Sequence, residues 1–194
     1  MNRTLASAIF GAAALTAGAA LAVDAADDEA IVVANQAEIT AEQVKAAQIA
    51  WGEALVRISR DYAEGGIELA RATAEEVLDT AYGFQMGQVL FNPTLTTYPQ
   101  SFRSTREAAL AYFVGHDPDF PDDSGFALAG WTDVEIRNHA IFIQGDVAKT
   151  MGNVHITNAA GEVTTVYKTW GFVRDEAGDL RIMLHHSSLP FVAG

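Results

Sequence analysis

At Trp131 the spacing of apolar residues changes from every third or fourth position to every second. A chain with that single switch puts helices first and strands last, and the apolar side of one must cover the apolar side of the other. Before the switch, Thr40-Ala41-Glu42-Gln43 has the form of a capping box. Val44, Ala47, Trp51, Leu55, Ile58 and Tyr62 follow as one helical stripe, closed by Gly65-Gly66. A second helix is predicted from about Ile67 to Tyr82 and stops at Gly83. Val89-Leu90-Phe91 reads as a short strand ended by Asn92-Pro93. Ser104 or Thr105 caps a third helix whose apolar side holds Ala108, Ala109, Tyr112 and Phe113. Beyond the switch, strands are predicted at 131–144, 146–157, 162–174 and 180–188, with turns at Gly145, Asn158 to Gly161 and Glu176 to Asp179. The expected class is α+β, a cone-shaped, curved antiparallel or mixed sheet wrapped around N-terminal helices.

The 194 residues suit one domain, expected over 39–194, because halving them would leave two cores too small to be stable. Before it, Arg3 and the apolar run Leu5 to Leu21 have the form of a cleavable leader. Small-residue sites at Ala20-Leu21-Ala22 and Val23-Asp24-Ala25 place the leader at 1–25 and a disordered lead-in at 26–38. The mature chain is then expected in the periplasm or secreted, with no stable membrane insertion. Twelve Lys and Arg stand against 25 Asp and Glu, a net charge of -13, which repels phosphate backbones and argues against nucleic-acid partners. With no Cys there is no thiol nucleophile and no cysteine-held zinc. The five His lack zinc-site spacing, so neither a metal nor another cofactor is expected.

Alternation sorts the last three strands into two faces. One carries Lys149, His155, Lys168, Trp170, Phe172, Ile182, Leu184 and His186; the other carries Thr150, Val154, Tyr167, Thr169, Met183, His185 and Ser187. Burying an unpaired ammonium is costly, so the lysine-bearing face is assigned outward and the other inward. Trp170, Phe172, Ile182 and Leu184 then offer an apolar surface for a homodimer. Inside, Trp51, Tyr82, Tyr167, Thr169 and Ser187 are candidate ligand-binding residues. His185 is read as a satisfied core imidazole, a ligand contact or a general acid or base. Asp79, one helical turn from Tyr82, is the second candidate proton-transfer group, with a pKa raised by an apolar pocket. The polar loop 115–124 is a connector or a cover for the pocket mouth.

The run Leu180-Arg181-Ile182-Met183-Leu184-His185-His186-Ser187-Ser188 resembles the closing strand of nuclear-transport-factor-2-like (SnoaL-like) proteins. The similarity is greatest to the calcium/calmodulin-dependent kinase II association-domain group, and spans roughly residues 38–190. It implies a cone with a cavity at its wide end, homodimers or rings, and functions from binding modules to isomerases, cyclases and dehydratases. Arginines expected in that group's anion pocket are matched here by Thr169 and Ser187. A phosphoribosyl-AMP cyclohydrolase, whose zinc rests on cysteines, is disfavoured. The reading that follows is an exported small-molecule-binding protein with no defined reaction. The alternatives are a cofactor-free acid/base enzyme (isomerase, cyclase, dehydratase or hydrolase type) in the same pocket and a dimeric assembly module.

Overall fold

The computed structural model describes residues 38–192. Helix α1 spans Ala41–Ala81 and begins with the capping box: Thr40 Oγ1 accepts from Gln43 N, and Gln43 Oε1 accepts from Thr40 N. Gly66, at φ 69° and ψ −163°, breaks it into two arms, in a backbone region essentially confined to glycine. The arms fold back on each other. Asp61 accepts from Thr73 at 2.7 Å, Arg57 pairs with Glu76 at 2.5 Å, and Trp51 reaches Tyr82 at 2.9 Å. Helix α2 spans Arg106–Val114 and is capped by Thr105.

Strand β1 is Leu90–Asn92, β2 Trp131–Gln144, β3 Val147–Asn158, β4 Val163–Arg174 and β5 Leu180–Ser188, within a residue or two of the expected ranges. They form one sheet in the order β1-β5-β4-β3-β2, antiparallel except for β1 beside β5. Helix α1 touches β2 at one edge and β5 near the other, so the sheet curves around it. The sheet stays open, with β1 and β2 as its edges; the α+β class with a mixed sheet around the N-terminal helix, read from the sequence, holds. The leader and lead-in lie, but for Glu38, outside the described residues. No helix among the described residues is long and apolar enough to cross a membrane.

The interior assignment holds for β3, where Thr150 and Val154 are buried, and fails for β4. Val166, Lys168, Trp170 and Phe172 face the helices, while Tyr167 is half exposed and Thr169 shares the outer side with it. Strand β5 contributes from both predicted sets, because its register shifts at Met183. Phe172 pairs with Ile182 and Gly171 with Leu184, leaving Met183 as an extra residue. A β-bulge of this kind reverses the alternation beyond it, so Ile182, His185 and Ser187 all point inward. The expected dimer surface is corrected in the same way. Trp170, Phe172 and Ile182 are core residues of their own chain, and of the four only Leu184 faces outward.

Candidate functional site

Side chains from α1, β4 and β5 meet between the helix and the sheet. The first arm of α1 supplies Trp51, the end of α1 Tyr82, β4 Lys168, and β5 His185 and Ser187. All five are buried. Trp51 Nε1 donates to Tyr82 Oη at 2.9 Å, Tyr82 Oη lies 2.8 Å from His185 Nδ1, and His185 Nε2 meets Lys168 Nζ. Lys168 Nζ also donates to Ser187 Oγ at 3.3 Å, and stands 4.6 Å from the ring centroid of Trp51 and 5.1 Å from that of Trp170.

The direction of each hydrogen bond follows from which atoms can only donate. Indole N–H has no acceptor role, so Tyr82 Oη accepts from Trp51. Burial pushes the Tyr82 phenol far above its usual pKa, so it keeps its proton and points it at His185 Nδ1. A neutral imidazole then carries its own proton on Nε2, facing Lys168. Two donors repel, so Nζ presents a lone pair and Lys168 is an uncharged amine. The reverse order would leave the phenolic proton buried with no acceptor among the described residues, at a cost of about 1–3 kcal/mol. Burial also holds Lys168 well below the usual lysine range. His185 is pushed below its usual value by burial first, then by its neighbours Lys168 and His186.

A small cavity adjoins this chain of groups. Thr94, Tyr112, Lys168, His185 and Ser187 give it polar walls, while Trp51, Phe113, Phe126, Ile156 and Val166 give it apolar ones. The centre of a water-sized sphere can occupy about 10 Å³ within it, the space that one bound water needs. As it stands it has room for a water-sized group; a sugar, steroid or nucleotide does not fit. Burial raises the Tyr112 hydroxyl above the usual phenol range, against a smaller opposing effect of the Leu95 and Thr94 backbones. Arg103 fastens the 93–105 segment to the 115–125 loop through two 2.8 Å bonds to Asp123, both side chains being buried. That loop leads directly to Phe126 in the cavity wall.

Of the residues singled out in the sequence, Trp51, Tyr82, His185 and Ser187 come together here. Tyr167 and Thr169 lie on the far side of the sheet. Asp79 is more than half exposed in an open groove, held by Arg106 at 2.6 and 2.9 Å. Hydrogen bonding to that guanidinium keeps its carboxyl below the usual carboxylate range, the opposite of the expected direction. Lys168, Thr94 and Tyr112 were not singled out. For Lys168 a signal existed: it shares a strand face with Val166, Trp170 and Phe172. Among the described residues, no group of three or more His, Cys, Asp or Glu could hold a metal ion.

A curved, open sheet around a kinked helix, with titratable groups sealed beneath it beside a small cavity, defines an α+β domain with a buried polar site. The family described as metal-independent carbonic anhydrase matches residues 42–189, and the chain belongs to that family. A metal-independent carbonic anhydrase from Nostoc sp. (strain PCC 7120) is 58% identical over 159 residues, 82% of this chain and 77% of that protein. The crystal structure of a cyanobacterial iota-carbonic anhydrase complexed with bicarbonate is 56% identical, covers 84% of this chain and 99% of that one, and superposes with a TM-score of 0.81. A protein described as a calcium/calmodulin-dependent protein kinase II association domain, from Xanthomonas campestris, is more distant. It is 19% identical over 81% of this chain and 98% of that one, with a TM-score of 0.48, and nothing about function is taken from it. These findings correct the expectation of a binding protein without a reaction. Relatives this similar are named for a defined reaction, and the alternative of an acid/base enzyme without a cofactor is the better one.

Proposed function

We propose that the protein catalyses the reversible hydration of CO2 to bicarbonate in the cavity between Lys168, His185, Ser187, Thr94 and Tyr112. The observation that carries this reading is a buried amine, held by burial well below the usual lysine range, facing a small cavity beside His185 and Ser187. In the forward direction a water oxygen attacks the CO2 carbon. The C–O bond forms as a C=O π pair moves onto oxygen, and the water O–H bond breaks with its proton passing to the Nζ lone pair, which first turns away from His185 Nε2–H. Ser187 Oγ accepts from Nζ, so its own O–H is free to donate to the oxygen that gains charge. The ammonium so formed sits beside the bicarbonate it helped to make, its charge facing the rings of Trp51 and Trp170. Release of its proton to solvent completes the cycle.

Stopped-flow CO2 hydration by the chelator-treated protein tests this. Activity is expected to survive chelation, to vanish in Lys168→Met, and to fall about 100-fold in Ser187→Ala, the effect of removing one oriented donor. Full activity in Lys168→Met would remove the amine from the mechanism. Export belongs to the same reading, supported by Arg3 and the Leu5 to Leu21 run; N-terminal sequencing of the protein from osmotic-shock fluid tests it. So does self-association, for which the outer sheet face offers Leu90, Met151 and Tyr167, with Phe102 beside it. Sedimentation of Tyr167→Asp against the parent protein is the corresponding measurement.

A further inference from the structure

A second small cavity lies between the two arms of α1 and α2. Leu55, Ile58, Ala74 and Val77 line it together with Trp51 and Phe113. The last two also line the reaction cavity, so a pair of rings forms the common wall. The only hydrogen-bonding side-chain group among the six is the Trp51 N–H, already engaged by Tyr82. A water molecule here would forgo nearly all its hydrogen bonds, so this composition favours an apolar occupant, and the space, about 10 Å³ for the centre of a water-sized sphere, limits it to the smallest gases. Val77 is half-buried whereas the other five are buried, so the chamber approaches the surface on that side. The reaction cavity approaches the surface elsewhere, at half-buried Thr94 and Phe126.

We propose that this chamber is a binding site for CO2, which it passes across the Trp51–Phe113 wall to the reaction cavity. The inference rests on the carbonic anhydrase reading and adds to it a gas route separate from that of water and bicarbonate. CO2 has no net dipole and no hydrogen to donate, so it loses little on leaving water for an apolar space. Bicarbonate is charged and would lose its hydration with nothing to replace it. The chamber therefore admits one side of the reaction and rejects the other, which keeps product out of the path of substrate.

Xenon serves as the probe, with crystals of the unaltered protein pressurised and CO2 hydration followed in parallel. Xenon is expected between Leu55, Ile58, Ala74 and Phe113, and to raise KM for CO2 while leaving kcat unchanged. Ala74→Val fills the chamber. It should abolish xenon binding and lower kcat/KM about tenfold, the scale of a methylene-sized misfit. Because the equilibrium is fixed, kcat/KM for bicarbonate must fall by the same factor. Val77→Ile, at a half-buried position, repeats the test with less strain, and xenon inhibition of the unaltered protein needs no variant. An active enzyme whose chamber takes no xenon overturns this inference alone, as does a filled chamber with kcat/KM unchanged. Xenon bound in a protein that does not hydrate CO2 overturns the CO2 assignment together with the reading beneath it.

Discussion

An ammonium group moved from water to the space under this sheet would lose its hydration, and two indole faces with one hydroxyl would not restore it. Burial therefore favours the uncharged amine, and the folded pKa of Lys168 lies well below the unfolded value of 10.5. Between those two values the unfolded chain binds a proton that the folded chain does not, so stability rises with pH up to about 10.5. The limiting slope is about 1.4 kcal/mol per pH unit. Lys168→Met should remove that slope and raise Tm near neutrality while activity is lost; thermal unfolding across pH 7–10 measures it. For His185, lowered below 6.5 for the same reason, stability falls as pH drops below 6.5. Tyr82→Phe removes the group that orients the imidazole and strands the Trp51 N–H. A loss of about 1–3 kcal/mol is expected in denaturant unfolding, together with a displaced pH–rate profile as the imidazole loses its fixed tautomer.

Among the elements, β5 shows how one residue redirects a strand. Were the ladder continuous through Met183, the alternation that points Ile182 inward would continue to Leu184 and His186, and His185 would face solvent. Deleting Met183 puts Leu184 directly after Ile182, so regular pairing keeps Leu184 outward and His185 inward. CO2 hydration should therefore survive the deletion, with far-UV circular dichroism near that of the parent. Loss of activity in a folded deletion variant would mean that Met183 does more than take up the extra position. Gly83 packs against the same residue: a Cβ there would stand 2.2 Å from Met183 Sδ. The end of α1, which carries Tyr82, and the bulge that turns His185 toward it thus fit together at one glycine.

At the scale of the whole molecule, the walls of the reaction cavity come from segments joined by buried polar contacts. Arg103 and Asp123 hold two loops that together bring Thr94 and Phe126 to the cavity. Arg103→Met leaves a carboxylate buried without its partner, and about 3–5 kcal/mol of stability should be lost. The double variant with Asp123→Leu should recover most of it, which chemical denaturation of the three proteins would show. The 115–124 segment, read as a connector or a cover, is fastened by this pair, by Gln100 to the Asp119 carbonyl and by Thr97 to Asp122.

Much of this was legible in the amino-acid order, because the rules involved are local. The Thr40 cap, the break at Gly65-Gly66, the α2 start, the hairpin turns and the helices-then-strands arrangement each depend on residues a few positions apart. His185, Ser187, Trp51 and Tyr82 were visible as candidates for the same reason. Strand alternation says which residues share a side, but it does not say which side lies under the helices or where an extra residue reverses the count. Those depend on the pairing of β4 with β5 and on what α1 lays against them. The charge of Lys168 was hidden more deeply still. An amine in water is a cation and argues for the surface; sealed between two indoles and a proton-bearing imidazole it is a base, and only the assembled surroundings decide which of the two it is.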